Sequence, residues 1–100
     1  MSEIISSQSM RLHAIVEGRV QGVGFRAFVE DNAFRLKLKG WVRNRWNGTV
    51  EVSAEGERQN LEKFLTILRR GPGAAFVAEV SYEWQEATGE FSHFSVRMTG

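Results

Sequence analysis

GWVRNRWNGTVEVSAE, residues 40–55, decides how the rest of the chain is read. Asn47-Gly48 sits between two strand-like runs, residues 40–45 and 49–55, and this dipeptide most readily takes the positive φ angles of a tight hairpin turn. In the second run Val50, Val52 and Ala54 share one face, while Thr49, Glu51, Ser53 and Glu55 share the other. That alternation predicts an antiparallel pair with one side packed and the other facing water.

Upstream of the hairpin, Phe25, Phe28, Val29, Asn32, Ala33 and Leu36 recur at helical spacing. Before them Leu12, Ala14, Val16, Gly18 and Val20 alternate with His13, Ile15, Glu17 and Arg19, the period of a strand with one buried face. Downstream, Gly56 is expected to end the second run. Leu61, Phe64, Leu65 and Leu68 then fall at i, i+3, i+4 and i+7, with Glu57 in the first turn and Arg69 and Arg70 in the last, charges that suit the helix dipole. Gly71-Pro72-Gly73 stops this second helix. Residues 77–86 have strand composition, Thr88-Gly89 offers a turn, and Phe94, Val96 and Met98 alternate with Ser95 and Arg97 in a short last strand. The order β-α-β-β-α-β with a short strand appended predicts an α/β (α+β) sandwich of ferredoxin-like type. Two helices cover one face of a mostly antiparallel sheet whose first strand lies centrally.

One hundred residues make room for a single hydrophobic core. Residues 11–100 are read as one domain and residues 1–10 as a flexible N-terminal tail. The 42% hydrophobic and 25% charged composition excludes a disordered chain. Thirteen Lys and Arg against twelve Asp and Glu leave a formal charge of +1, so any anion site must be local rather than spread over the surface. With no Cys, disulfides, thiolate nucleophiles and thiolate-bound zinc or iron–sulfur clusters are excluded. The apolar runs are shorter than the roughly 18 residues that span a bilayer, and the chain is expected to be a soluble cytoplasmic protein.

The chemistry-bearing segment is Gly18-Arg19-Val20-Gln21-Gly22-Val23-Gly24-Phe25-Arg26, which leaves a strand and enters a helix directly. Its glycines let the backbone turn sharply and aim amide N–H groups at one point, and the helix start adds further free N–H groups. Arg26, on the first helical turn, can clamp two oxygens of a tetrahedral phosphate. The spacing lacks the Gly-Lys-Ser/Thr ending of a nucleotide-binding loop and the dinucleotide fingerprint. A Gly-rich turn followed by a surface Arg accounts for the same residues. In Gly40-Trp41-Val42-Arg43-Asn44, Asn44 shares side-chain parity with Val42 and points toward the layer where the first strand and helix meet. Its carboxamide can both accept from and donate to one water molecule, or it can satisfy backbone groups near the hairpin.

Taken together, VQGVGFR at 20–26, GWVRN at 40–44, NGTVE at 47–51, the helix with Leu61, Phe64 and Leu65, and the Gly71-Pro72 turn resemble the acylphosphatase family across about residues 11 to 98. The resemblance implies a ferredoxin-like hydrolase that cleaves the mixed anhydride of an acyl phosphate into a carboxylate and inorganic phosphate. It places the family's phosphate-binding arginine on Arg26 and its water-orienting asparagine on Asn44. Its phosphate-cradling amides fall on Gln21, Gly22, Val23, Gly24, Phe25 and Arg26. It implies no metal and no cofactor, and inorganic phosphate as product and inhibitor. A monomer without nucleic-acid or membrane partners is expected. Lys37 stands where the family commonly has Gly after its first helix, so a left-handed cap there carries a strain penalty. Trp46, Arg43 and Arg45 make the hairpin bulky and basic, and are read as a solvated edge.

His13 and His93 lack metal-ligand spacing and are read as strand-surface residues. Phe25, Phe28, Phe34 and Phe64 are assigned to the core. Ser92 precedes His93, but adjacent strand residues point to opposite faces, which argues against a serine nucleophile. The competing reading is a non-catalytic ferredoxin-like binding module. One form is an RNA-binding domain, which shares the element order but needs aromatics displayed on its central strands; the other is a small-molecule sensor.

Overall fold

The hairpin forms between β2 (Lys39–Asn44) and β3 (Val50–Glu57) in a computed structural model that describes residues 9–100. Asn47-Gly48 works differently from the expected tight turn. Only Gly48 has a positive φ, +93°. Arg45 N–H donates to the Thr49 carbonyl at 2.9 Å and Gly48 N–H to the Arg45 carbonyl at 3.0 Å. A three-residue loop with glycine at its left-handed position therefore closes the hairpin. Asn47 contributes through its side chain, whose Oδ1 accepts from Thr49 N–H at 3.1 Å and Oγ1 at 2.7 Å.

The remaining elements are β1 (Ser9–Arg19), α1 (Phe25–Arg35), α2 (Arg58–Arg70), β4 (Phe76–Glu86) and β5 (Phe94–Val96). They give a five-stranded sheet in the order β4-β1-β3-β2-β5, antiparallel except for the β2–β5 pair. This is the ferredoxin-like arrangement with β1 central. Ser9 and Met10, assigned to the tail from the sequence, instead begin β1 opposite Glu57 and Gly56. The rest of that tail lies outside the described residues. Gly56 lies within β3, and Glu57 is the N-cap of α2 rather than a first-turn residue, because the strand runs straight into the helix. Met98 falls outside β5. Arg97 N–H donates to the Val42 carbonyl and Gly100 N–H to the Asn44 carbonyl, so the chain end follows β2 irregularly.

The core lies between the sheet and the two helices. Leu12, Ala14 and Val16 of β1, Val42 of β2, and Val50, Val52 and Ala54 of β3 meet Phe25, Val29 and Ala33 of α1 and Leu61, Phe64, Leu65 and Leu68 of α2, all buried. Phe34 departs from its core assignment: it is 81% exposed.

Helix α1 ends in a left-handed residue, as the resemblance implied. Lys37 has φ +58°, Leu38 N–H donates to the Ala33 carbonyl at 2.9 Å, and Lys37 N–H donates to the Phe34 carbonyl at 3.1 Å. These are the two bonds of a Schellman cap, with Leu38 buried over Ala33. A side chain in the left-handed region costs about 1 to 2 kcal/mol, partly offset by the greater freedom that glycine gives the unfolded chain. Lys37→Gly is expected to stabilise the fold by about 0.5 to 1 kcal/mol and raise Tm by several degrees in a thermal melt.

The helix-free face of β3 differs from its expected solvation: Glu51, Ser53 and Glu55 are buried. Long side chains and one loop cover them. Arg11 Nε donates to Glu55 at 2.8 Å, and the Thr88 and Gly89 N–H groups donate to the same carboxylate at 2.9 and 3.0 Å. Glu51 accepts from Arg43 Nε at 2.8 Å and lies 2.7 Å from His13 Nε2. Arg43 also lies against Trp41, so it is a packed residue rather than a solvated edge. Burial pushes the Glu55 carboxyl up, but the Thr88 and Gly89 N–H groups and the Arg11 guanidinium outweigh it and hold it below the ordinary carboxylate value of 4.5. Glu51 is held low in the same way, its burial overcome by His13 and Arg43.

A depressed folded-state value stabilises the protein above the unfolded-state value of 4.5, and this stability is lost as pH falls through the folded-state value. Glu55→Gln removes the charge beside Arg11 and puts an NH2 against the donors of one oxygen, either Gly89 N–H or those of Arg11 and Thr88, and is expected to cost about 2 to 3 kcal/mol at pH 7. In urea titrations the gap from the native protein is expected to narrow as pH falls below 4.5 and to close only once pH has dropped through the lower folded-state value, where the native carboxyl is also protonated.

Candidate functional site

The chain leaves β1 at Arg19 and turns through residues 20–24 into α1. Gly24 is the N-cap, with φ +78° and ψ +19°, a left-handed conformation in which a side chain would be strained. A Cβ there would meet nothing within 4 Å, so the requirement is conformational rather than spatial. The first backbone bond of the helix runs from Phe28 N–H to the Gly24 carbonyl at 3.1 Å, and no side chain caps this end. The N–H groups of Phe25, Arg26 and Ala27 therefore lack intrahelical partners and stand at the positive end of the helix dipole.

These groups border a pocket of about 330 Å³ whose walls include Val20, Gly22, Gly24, Phe25, Arg26 and Asn44. Arg26 is half-buried and, among the described residues, forms no ion pair. Asn44 ends β2 on the helix-covered face, in line with Val42. Its carboxamide makes no hydrogen bond among the described residues, and Asn47 rather than Asn44 supplies the side-chain bonds of the hairpin. Residues from a loop, a helix and a strand thus converge on one cavity, at separations in sequence that only the sheet brings together.

Gln21 and Val23 are absent from the pocket wall. Val23 packs against the core. Gln21 Nε2 donates to the Arg45 carbonyl at 2.8 Å and the Thr49 carbonyl at 2.9 Å, bracing the glycine turn against the hairpin that carries Asn44. Spacing gave no sign of this strut, because its acceptors are main-chain oxygens about 25 residues away.

Ser92 and His93 lie in a bend ahead of β5, not within a strand, so their side chains meet instead of diverging: Ser92 Oγ is 3.0 Å from His93 Nδ1. Both are exposed, and no carboxylate orients the ring among the described residues. The geometry of an activated nucleophile is incomplete. Among the described residues no three His, Asp or Glu side chains cluster as metal ligands would. The helix-free faces of the central strands present Arg11, His13 and Ile15 on β1 and Glu51, Ser53 and Glu55 on β3. They offer no aromatic platform for stacked bases, and their carboxylates are buried against Arg11, His13 and Arg43.

The chain is similar to known proteins over most of its length. A sequence profile described as Acylphosphatase matches residues 12–96. The acylphosphatase of Pelotomaculum thermopropionicum is 49% identical over 86 residues, covering 86% of this chain and 94% of that protein. That of Moorella thermoacetica is 51% identical over 81 residues, covering 81% and 87%. The crystal structure of acylphosphatase from Bacillus subtilis superposes with a TM-score of 0.85 at 39% identity, covering 88% of this chain and 98% of that one. No helix among the described residues is long and apolar enough to cross a membrane. Profile, relatives and fold agree over nearly the whole described length, and the chain belongs to the acylphosphatase family.

Proposed function

We propose that this chain hydrolyses acyl phosphates to a carboxylate and inorganic phosphate in the pocket between the glycine turn and Asn44. The observation that carries the reading is the meeting, on one cavity, of uncapped helix N–H groups, an unpaired guanidinium and an unengaged carboxamide.

The backbone N–H groups of Gly22, Gly24, Phe25 and Arg26, which line the pocket, and the Arg26 fork hold the phosphoryl group and neutralise charge on its equatorial oxygens. Asn44 aims a water molecule at phosphorus. The water oxygen bonds to phosphorus as the bond to the acyl oxygen breaks, and the carboxylate departs with the electron pair. No side chain at the pocket is needed as a strong base: a phosphoryl oxygen of the substrate takes the proton of the attacking water. The carboxylate is a good leaving group, so positioning and charge neutralisation suffice. A chain without cysteine and with a net charge of +1 fits a monomer working in the cytoplasm without nucleic acid.

Release of phosphate from benzoyl phosphate tests the reading. Hydrolysis is expected to proceed unchanged in the presence of a chelator and to be inhibited competitively by inorganic phosphate. Asn44→Ala is expected to lower kcat on the order of 100-fold with little change in KM, because the carboxamide holds the water rather than the substrate. A folded Asn44→Ala protein with undiminished kcat removes Asn44 from the mechanism.

A further inference from the structure

We infer that the acyl part of the substrate lies in an apolar groove along α1 that continues from the phosphate pocket, so that the chain prefers acyl phosphates with long apolar acyl groups. The inference rests on the acyl phosphate reading above and specifies its substrate class. The groove encloses about 1300 Å³ between α1 and the segment around β5. Gly24, Ala27 and Glu30 line both it and the phosphate pocket, so the two cavities adjoin and a molecule anchored by phosphate at the glycine turn has the groove beside it. Phe28, Phe34, Leu38 and Phe94 form its apolar walls.

Ala27, Asp31, Phe34 and Leu38 stand at i, i+4, i+7 and i+11, so the groove follows one stripe of the helix and its rim. Ala27, the small residue at the junction, leaves the passage open. Asp31 and Arg35 both line the groove and pair with each other at 3.1 Å, and Glu30, Lys37 and Lys39 add charge along it beside the apolar walls. Phe34 is the conspicuous member: 81% exposed, it offers a ring to solvent on the helix face that the core does not use. From Ala27 to Phe34 the helix rises about 10 Å, the reach of a chain of roughly eight carbons.

Straight-chain acetyl, butanoyl, hexanoyl and octanoyl phosphates release carboxylates of similar basicity, so differences in kcat/KM among them report how the chain is held. In a groove open on one side each methylene buries only part of its surface, and kcat/KM is expected to rise on the order of twofold per methylene, about 60-fold over the six methylenes from acetyl to octanoyl. Phe34→Ser, and separately Phe34→Lys, are expected to lower the octanoyl-to-acetyl ratio by about threefold or more. A flat chain-length profile in an enzyme that turns over every member overturns the groove assignment and leaves the proposed function standing. Absence of turnover with every member overturns both. A flat profile together with a concentration-dependent dimer that Phe34→Lys dissolves assigns the groove to a second copy of the chain and likewise overturns the inference.

Discussion

Arg26→Ala is expected to reduce kcat/KM for benzoyl phosphate on the order of 100-fold to 1,000-fold or more, while its circular dichroism and thermal midpoint stay close to those of the native protein. The two halves of this result have separate causes. Arg26 is half-buried, forms no ion pair among the described residues, and contributes no side chain to the buried core. Its removal leaves no stranded charge and no core cavity, so the fold loses little. Among the described residues of the pocket wall, the reaction loses the one cation. A dianionic phosphoryl group must then be held by main-chain N–H groups alone, which raises KM, and charge at the equatorial oxygens is stabilised less in the transition state, which lowers kcat. Inhibition by inorganic phosphate is expected to weaken in parallel. Arg26→Lys restores the charge without the planar fork and is expected to recover only part of the activity, since an ammonium cannot bind two oxygens in fixed geometry. Native kcat/KM in folded Arg26→Ala would sink the proposed site even though family and fold stand.

Gly40→Ala is expected to cost about 4 kcal/mol or more, and so to lower Tm on the order of 20 °C in a domain of this size. Gly40, the second residue of β2, has φ +148°, and a Cβ built there overlaps the Ser53 carbonyl oxygen and stands 2.9 Å from the Ala54 Cα. Both obstacles are backbone of β3, a central strand paired on both sides, and neither can move without opening the ladder. The left-handed strain of a non-glycine residue adds to the clash. Gly73→Ala is the matched control: Gly73 has no positive φ, and a Cβ there meets nothing within 4 Å, so its replacement is expected to stay within about 0.5 kcal/mol. Urea titrations of the two variants side by side measure the contrast. Near-native stability of Gly40→Ala would mean that β2 approaches β3 less closely than described.

Gly40 also shows where reading a sequence stops. The residue belongs to a motif recognisable from residue order, Gly40-Trp41-Val42-Arg43-Asn44, yet nothing in that order says that a neighbouring carbonyl occupies the space of its missing side chain. Lys37 is the opposite case. Its left-handed cap was expected only through the family resemblance, since a lysine itself gives no sign of it, but once expected its bonds are all local to the helix end. The same division runs through the site. The glycine turn, its passage into a helix and the parity of Asn44 with Val42 were written in nearby residues. The bracing of that turn by Gln21 was not, because it depends on main-chain oxygens brought near by the sheet.

Periodicity settled the element order, the inward stripes and the ferredoxin-like pairing, since a period of 2 or 3.6 residues determines which side of its own element each side chain occupies. What covers that side is a property of other elements. The acids of β3 belong on the helix-free face, as their alternation requires, yet Arg11, His13, Arg43 and the loop at Thr88 and Gly89 close over them and turn a wet face into a buried ion-pair layer. Phe34 is hydrophobic and lies close to a helical stripe, yet no partner arrives to cover it. Side-chain chemistry and spacing act within a few residues and so can be read along the chain. Enclosure, and with it the convergence of Arg26 and Asn44 on one cavity, comes from segments far apart in sequence and exists only once they have packed.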